Sequence, residues 1–344
     1  MSSLLDDDLT GPRPPIFWGA LRTTLGRTPI WLSCWLVPLV LALILAVPWR
    51  GFYAGVLANR YEPGSVLAFM DQDFRFDHRA ELDSLKQSTA GIAAALALVV
   101  MLFGVFAGGG WLQVFLERTQ GHSLRRFLWG GARYFWRFAR VWIVTLLTLA
   151  LFSWVMYGWP WKMALKLFFG VEDGELEDLT SERSAVQVTW AQDGIYGVLV
   201  ALLLVWGDYT RTRLALQDTR SAVWAGLCTW GLVLLHPLRT LRPMVCLFVL
   251  EVFVVIGFGA LARNLDRGLG PESGAGTLLM LFALGQLALL WQGISRGARY
   301  HAAAQVSKQL VPPLAQPDPW ASRVGGPGGP QYPIDLTDDY GVSV

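Results

Sequence analysis

The chain has 344 residues, 53% hydrophobic and only 16% charged, with a mean hydropathy of +0.41. Water-soluble domains carry charge on nearer a quarter of their residues, so composition excludes an ordinary soluble fold. The net charge of +2 says little as a total, but the 28 basic and 26 acidic residues cluster between long uncharged runs.

Residues 1–28 read as a cytoplasmic segment. Asp6-Asp7-Asp8 precede Pro14-Pro15, and Phe17, Trp18, Leu21 and Leu25 then fall at helical spacing, which predicts a helix lying in the membrane interface. The acidic start and the late first apolar run do not read as a cleaved leader, so that run is expected to stay as a first span. Each run must hide its peptide groups from hydrocarbon, which takes about 20 apolar residues as helix. Six such runs follow, near 30–47, 90–116, 141–159, 194–206 with its flanks, 244–261 and 276–291. The last is expected to continue as a helix to Leu310, where Pro312-Pro313 stops it. The predicted fold is therefore all-α: a polytopic membrane helix bundle of about six transmembrane helices within 29–310, with short amphipathic interfacial helices. External loops are expected at about 49–88, 160–192 and 262–275, and a disordered Pro/Gly-rich cytoplasmic tail over 311–344.

Orientation follows from the basic residues. Placing the N-terminus, 117–140, 208–242 and the C-terminus on one side puts 18 of the 28 Lys and Arg there, so both termini are expected in the cytoplasm. Tryptophans near run ends, such as Trp31, Trp49, Trp111, Trp142, Trp159, Trp206 and Trp291, are expected at headgroup level. A weak repeat underlies the hydropathy: an interfacial segment, a span out, a loop and a span back, starting near Pro14, Glu117 and Asp208. Ser123 and Ser221 each open an interfacial segment after a polar linker. In the second span, Gly104 and Gly108 form a G-x-x-x-G followed by Gly109 and Gly110, a pattern that lets another helix approach closely.

Four groups of residues carry the chemistry. Arg126, Arg133, Arg137 and Arg140 share one helical face, while Phe127, Leu128, Tyr134, Phe135 and Phe138 on other faces are expected to enter the membrane. The stripe reads either as a cradle for anionic lipid headgroups or as snorkelling arginines that set orientation. Asp208, Arg211 and Asp218 read as a structural charge network at the mouth of the fourth span. Glu251 is the one acidic residue inside a span, so it must be neutral, paired or facing water; Gln286 in the sixth span is a candidate partner. His236-Pro237 reads as a turn.

The three cysteines, Cys34, Cys228 and Cys246, suggest no disulfide framework. No catalytic or metal-ligand motif is read, and no enzyme activity, metal or cofactor is expected. No nucleic-acid motif accompanies the arginines.

The run Asp208-Tyr209, Arg211, Arg213-Leu214, Leu216, Asp218, Arg220-Ser221-Ala222 resembles a segment of uncharacterised bacterial six-span membrane proteins. The stretch from Gly108 through Phe127 and Gly131 to Tyr134-Phe135 is similar to the same group. The resemblance implies a fold class and the bacterial inner membrane, and no activity. The leading expectation is a non-enzymatic component that organises lipids, anionic ones included, or a membrane-protein partner or second copy of itself. The alternative is a small-molecule or ion transporter or channel using Glu251.

Overall fold

Every regular element in the computed structural model is helical over the described residues, which are 16–58, 72–116, 123–170, 181–217, 221–267 and 275–310. The predicted 311–344 tail lies outside them. The helices are α1 (Ile16–Leu25), α2 (Thr28–Leu57), α3 (Gln72–Asp77), α4 (Arg79–Leu116), α5 (Ser123–Tyr157), α6 (Trp159–Phe169), α7 (Glu182–Gln217), α8 (Ala222–Leu235), α9 (Pro237–Arg267) and α10 (Ala275–Leu310). Six of them, α2, α4, α5, α7, α9 and α10, are long and apolar enough to cross a membrane. The chain is a multi-pass, all-α membrane protein.

Local chemistry sets the breaks. Pro29 sits in the first turn of α2 and Pro237 opens α9, where a missing N–H costs nothing, so both spans are separated from the short helices α1 and α8 before them. Ser221 caps α8, its hydroxyl accepting from the Trp224 N–H at 3.2 Å, and His236 forms the bend that ends it. No proline interrupts α5. The interfacial segment from Ser123 and the third span, expected as two elements, are one helix of 35 residues, about 52 Å long. The stretches expected to be loops are also partly helical. Helix α2 runs on to Leu57, α4 starts at Arg79, and α6 occupies Trp159–Phe169 before Gly170 stops it with φ of 68°.

The helices do not pack evenly along their length. In the most apolar stretch of each span no more than 22% of the residues are buried. The buried core lies at one end: Trp111, Leu112 and Val114 at the end of α4, Phe127, Phe138 and Val141 in α5, and Tyr209 and Leu214 near the end of α7. Ala298, Tyr300 and Ala302–Ala304 of α10 complete it. These positions fall on the basic side of the sequence. The three return helices α4, α7 and α10 all touch one another there. Each also packs against the next interfacial segment: α4 on the start of α5, α7 on α8, and α10 back on α1. The repeat seen in hydropathy is thus closed into a ring of three units.

Missing side chains make this end tight. A Cβ on Gly109 would lie 2.8 Å from the Gly130 carbonyl oxygen, and one on Gly110 would lie 2.6 Å from that of Phe127. On the facing helix, Gly130 abuts Gln113 and Gly131 abuts Phe106. The G-x-x-x-G and the two glycines after it each admit a neighbouring helix, as expected. Gly104 and Gly108 make room for the Arg296 guanidinium and the Tyr300 hydroxyl of α10, and it is Gly109 and Gly110 that meet a helix backbone.

The expectation for the aromatic residues of α5 is overturned by this packing. Phe127, Tyr134 and Phe138 fill the core between α4 and α5 instead of entering lipid, and only Leu128 of that set is largely exposed. Trp111 and Trp206 are core residues as well; the Trp206 indole donates to the Gly226 carbonyl at 2.9 Å and ties α7 to α8.

Gly110→Ala should therefore destabilise the detergent-solubilised chain by about 1–3 kcal/mol through overpacking. Gly197→Ala, where a Cβ meets nothing within 4 Å, should leave the thermal midpoint unchanged. Differential scanning fluorimetry of the two variants checks this.

Candidate functional site

Burying a charge beside hydrocarbon is costly unless the charge is paired, so ionisable groups inside this bundle mark the positions to inspect first. The packed end encloses a chain of them drawn from three helices. Asp208 and Arg211 are one helical step apart on α7, with the guanidinium Nη1 3.4 Å from the Asp208 Oδ1. Both side chains are about nine-tenths buried. Arg299 of α10 lies between the two carboxylates: its Nε is 3.5 Å from the Asp208 Oδ2, and its Nη1 donates to the Glu251 carboxylate of α9.

Neighbouring groups fix each member. Phe248, one turn before Glu251, offers its ring face to the Arg299 guanidinium at 4.4 Å, a cation–π contact that adds to the ion pair. Tyr300 accepts from Arg211 at 3.1 Å. The Tyr209 hydroxyl donates to the Thr240 carbonyl at 2.9 Å, holding the start of α9 against α7. Arg296, one step before Arg299, fits under Gly104 of α4. Two carboxylates and two guanidinium groups thus alternate through the interior, with Arg296 beside them.

Glu251 and Gln286 are not brought together. Glu251 pairs with Arg299, while the Gln286 side-chain oxygen accepts from the Trp35 indole of α2 at 3.2 Å. Asp208 and Arg211 do meet, in a buried setting and not at a solvated helix end. Asp218 lies outside the described residues. Arg299, Arg296 and Tyr300 were not singled out from the sequence. The only signal for Arg299 was indirect: a carboxylate in an apolar run needs a base, and Arg296 and Arg299 are the basic residues that follow the sixth span.

The arginine stripe runs along the first half of α5. Arg133 and Arg140 are exposed, and Arg126 and Arg137 are partly buried. It lies beside the face clamped onto α4, so its direction is set by the glycine contacts described above. Trp129 and Trp136 flank it on the far side, 50% and 74% exposed, and the Arg133 guanidinium sits 4.9 Å from the Trp129 ring centroid. Among the described residues no three His, Cys, Asp or Glu side chains gather as a metal site, and the three cysteines are free.

Removing one member of the buried chain should cost more than removing a pair. Arg299→Met strands Glu251 and should destabilise the fold by about 3–5 kcal/mol. The double variant Glu251→Leu with Arg299→Met should recover a large part of that loss, as read from denaturant titrations in mixed micelles.

No protein-family profile, curated protein or solved structure matches this chain.

Proposed function

We propose that this membrane protein is a non-catalytic component of a bacterial inner membrane that gathers anionic lipid headgroups along α5, with both termini in the cytoplasm. Membership of a six-span bacterial family belongs to the same proposal and rests on the Asp208–Ala222 and Gly108–Phe135 segments.

The observation that carries the reading is the flanked arginine ridge. Positive-inside orientation needs basic residues on the correct side, but it does not need them on one helical face, beside exposed indoles, on a segment pinned by glycine packing. Guanidinium forks suit phosphate oxygens, and tryptophan favours the level at which those phosphates lie. Each arginine near an anionic surface contributes about 1 kcal/mol. The open apolar flanks of the spans offer ample surface to lipid tails or to a neighbouring membrane protein.

A transporter or channel is the second reading, and the buried charge chain is the feature that favours it. In that reading Glu251 would exchange a proton or cation during turnover, so Glu251→Gln would abolish flux in proteoliposomes.

Two measurements test the proposal. In nanodiscs of mixed phosphatidylglycerol and phosphatidylcholine, the wild type should enrich the anionic lipid around itself. Arg133→Gln with Arg140→Gln should cut that preference by about tenfold or more, since two charges of this size are lost. An unchanged lipid shell around a folded double variant would reduce the stripe to an orientation signal. For topology, reporter fusions after residues 65 and 176 should read outside the cell, and fusions after 122 and 312 inside; the reverse pattern would overturn the assignment.

A further inference from the structure

The end of the bundle opposite the packed core holds a cavity of about 630 Å³, formed where α2 and α4 leave their apolar stretches and α3 lies beside them. That volume is in the range of small-molecule sites. One wall is aromatic. Trp49 and Tyr53, one turn apart on α2, stack at 6.5 Å, and Tyr53 stacks on Phe74 of α3 at 6.3 Å with 20° between the ring planes. Phe74 is only 3% exposed, so the wall is anchored to the protein and not splayed into solvent.

The lining also carries basic side chains. Arg75, Arg79 and Lys86 line the cavity, and Asp83 is the one carboxylate among the described residues that line it. Asp83 is already engaged: Lys86 Nζ lies 3.1 Å from it and Arg79 Nε 3.9 Å. These are exposed helix-spaced pairs of the kind that contribute little, so both cations can turn toward an incoming anion without much loss. Arg79 and Lys86 against one carboxylate that they already share disfavour a metal ion or an organic cation. A neutral sugar would use the aromatic wall but leave the guanidinium groups unused.

We propose that this cavity binds a phosphate ester that carries net negative charge. The phosphate sits between Arg79 and Lys86, and the glycerol or other carbon portion lies against Trp49, Tyr53 and Phe74. The position at the hydrocarbon boundary lets acyl chains run down the exposed flanks of α2 and α4. This site is separate from the α5 stripe in sequence and lies at the other end of the helices, and it does not depend on the lipid-gathering role given to that stripe.

The probe is a diazirine-bearing phosphatidylglycerol at low mole fraction in phosphatidylcholine nanodiscs containing the full chain. Photolysis followed by peptide mass spectrometry should place label within 49–53 and 75–86. Arg79→Gln with Lys86→Gln should lower that labelling at least fivefold while labelling of 123–140 stays constant, and Arg79→Lys with Lys86→Arg should retain it. Competition by millimolar glycerol phosphate assigns the site to a water-soluble phosphate ester, and its failure to compete assigns it to bilayer lipid; the shared chemistry stands in both cases. Absence of label in these segments, equal labelling by the phosphatidylcholine analogue, or indifference to the Gln double variant overturns the proposal.

Discussion

Lipid tails are as apolar as leucine, so spans gain nothing by burying leucine against leucine in a bilayer. Helices in that medium associate through close backbone approach and through polar groups that find partners in each other. Both resources are concentrated at one end of this chain. Gly109, Gly110, Gly130 and Gly131 bring α4 and α5 together, and Ala298 with Ala302–Ala304 thins α10 where it passes through the centre. The apolar middles of the spans, lacking such residues on facing surfaces, stay open to their surroundings.

The buried charges belong to the same logic. Arg299 joins α10 to α7 through Asp208 and to α9 through Glu251, and Arg211 returns the chain to α10 through Tyr300. No hydrophobic contact in this medium has comparable directional force. The ring of three units is closed by α10 meeting α1, with Gly297 lying against Thr24 and Trp111 at a point where three helices converge. Duplicated span pairs need some such closure, because each unit presents its return helix to the interfacial segment of the next.

What could be read from the sequence is what the bilayer itself imposes. The span positions, the continuation of α10 to Leu310, the capping Ser221 and the turn at His236 all follow from local length, charge and capping rules. Pairing between distant helices follows no such rule. Glu251 plainly required a partner, but choosing Arg299 over Gln286 depends on the relative rotation and shift of two helices, which periodicity does not encode. Indole chemistry is similarly two-sided. Trp129 and Trp136 face outward while Trp111 and Trp206 are sealed in the core, and their sequence surroundings look alike. The 311–344 tail and Asp218 lie outside the described residues.

The unbroken course of α5 sets it apart from α2 and α9. Those two spans each follow a proline-marked joint that sets their axes apart from those of α1 and α8. Helix α5 has no such joint, and its first half is clamped by α4. A membrane that grows thinner or thicker is accommodated by tilting spans. The remaining outgoing span, α5, can lean only by dragging the clamped segment and its neighbour with it.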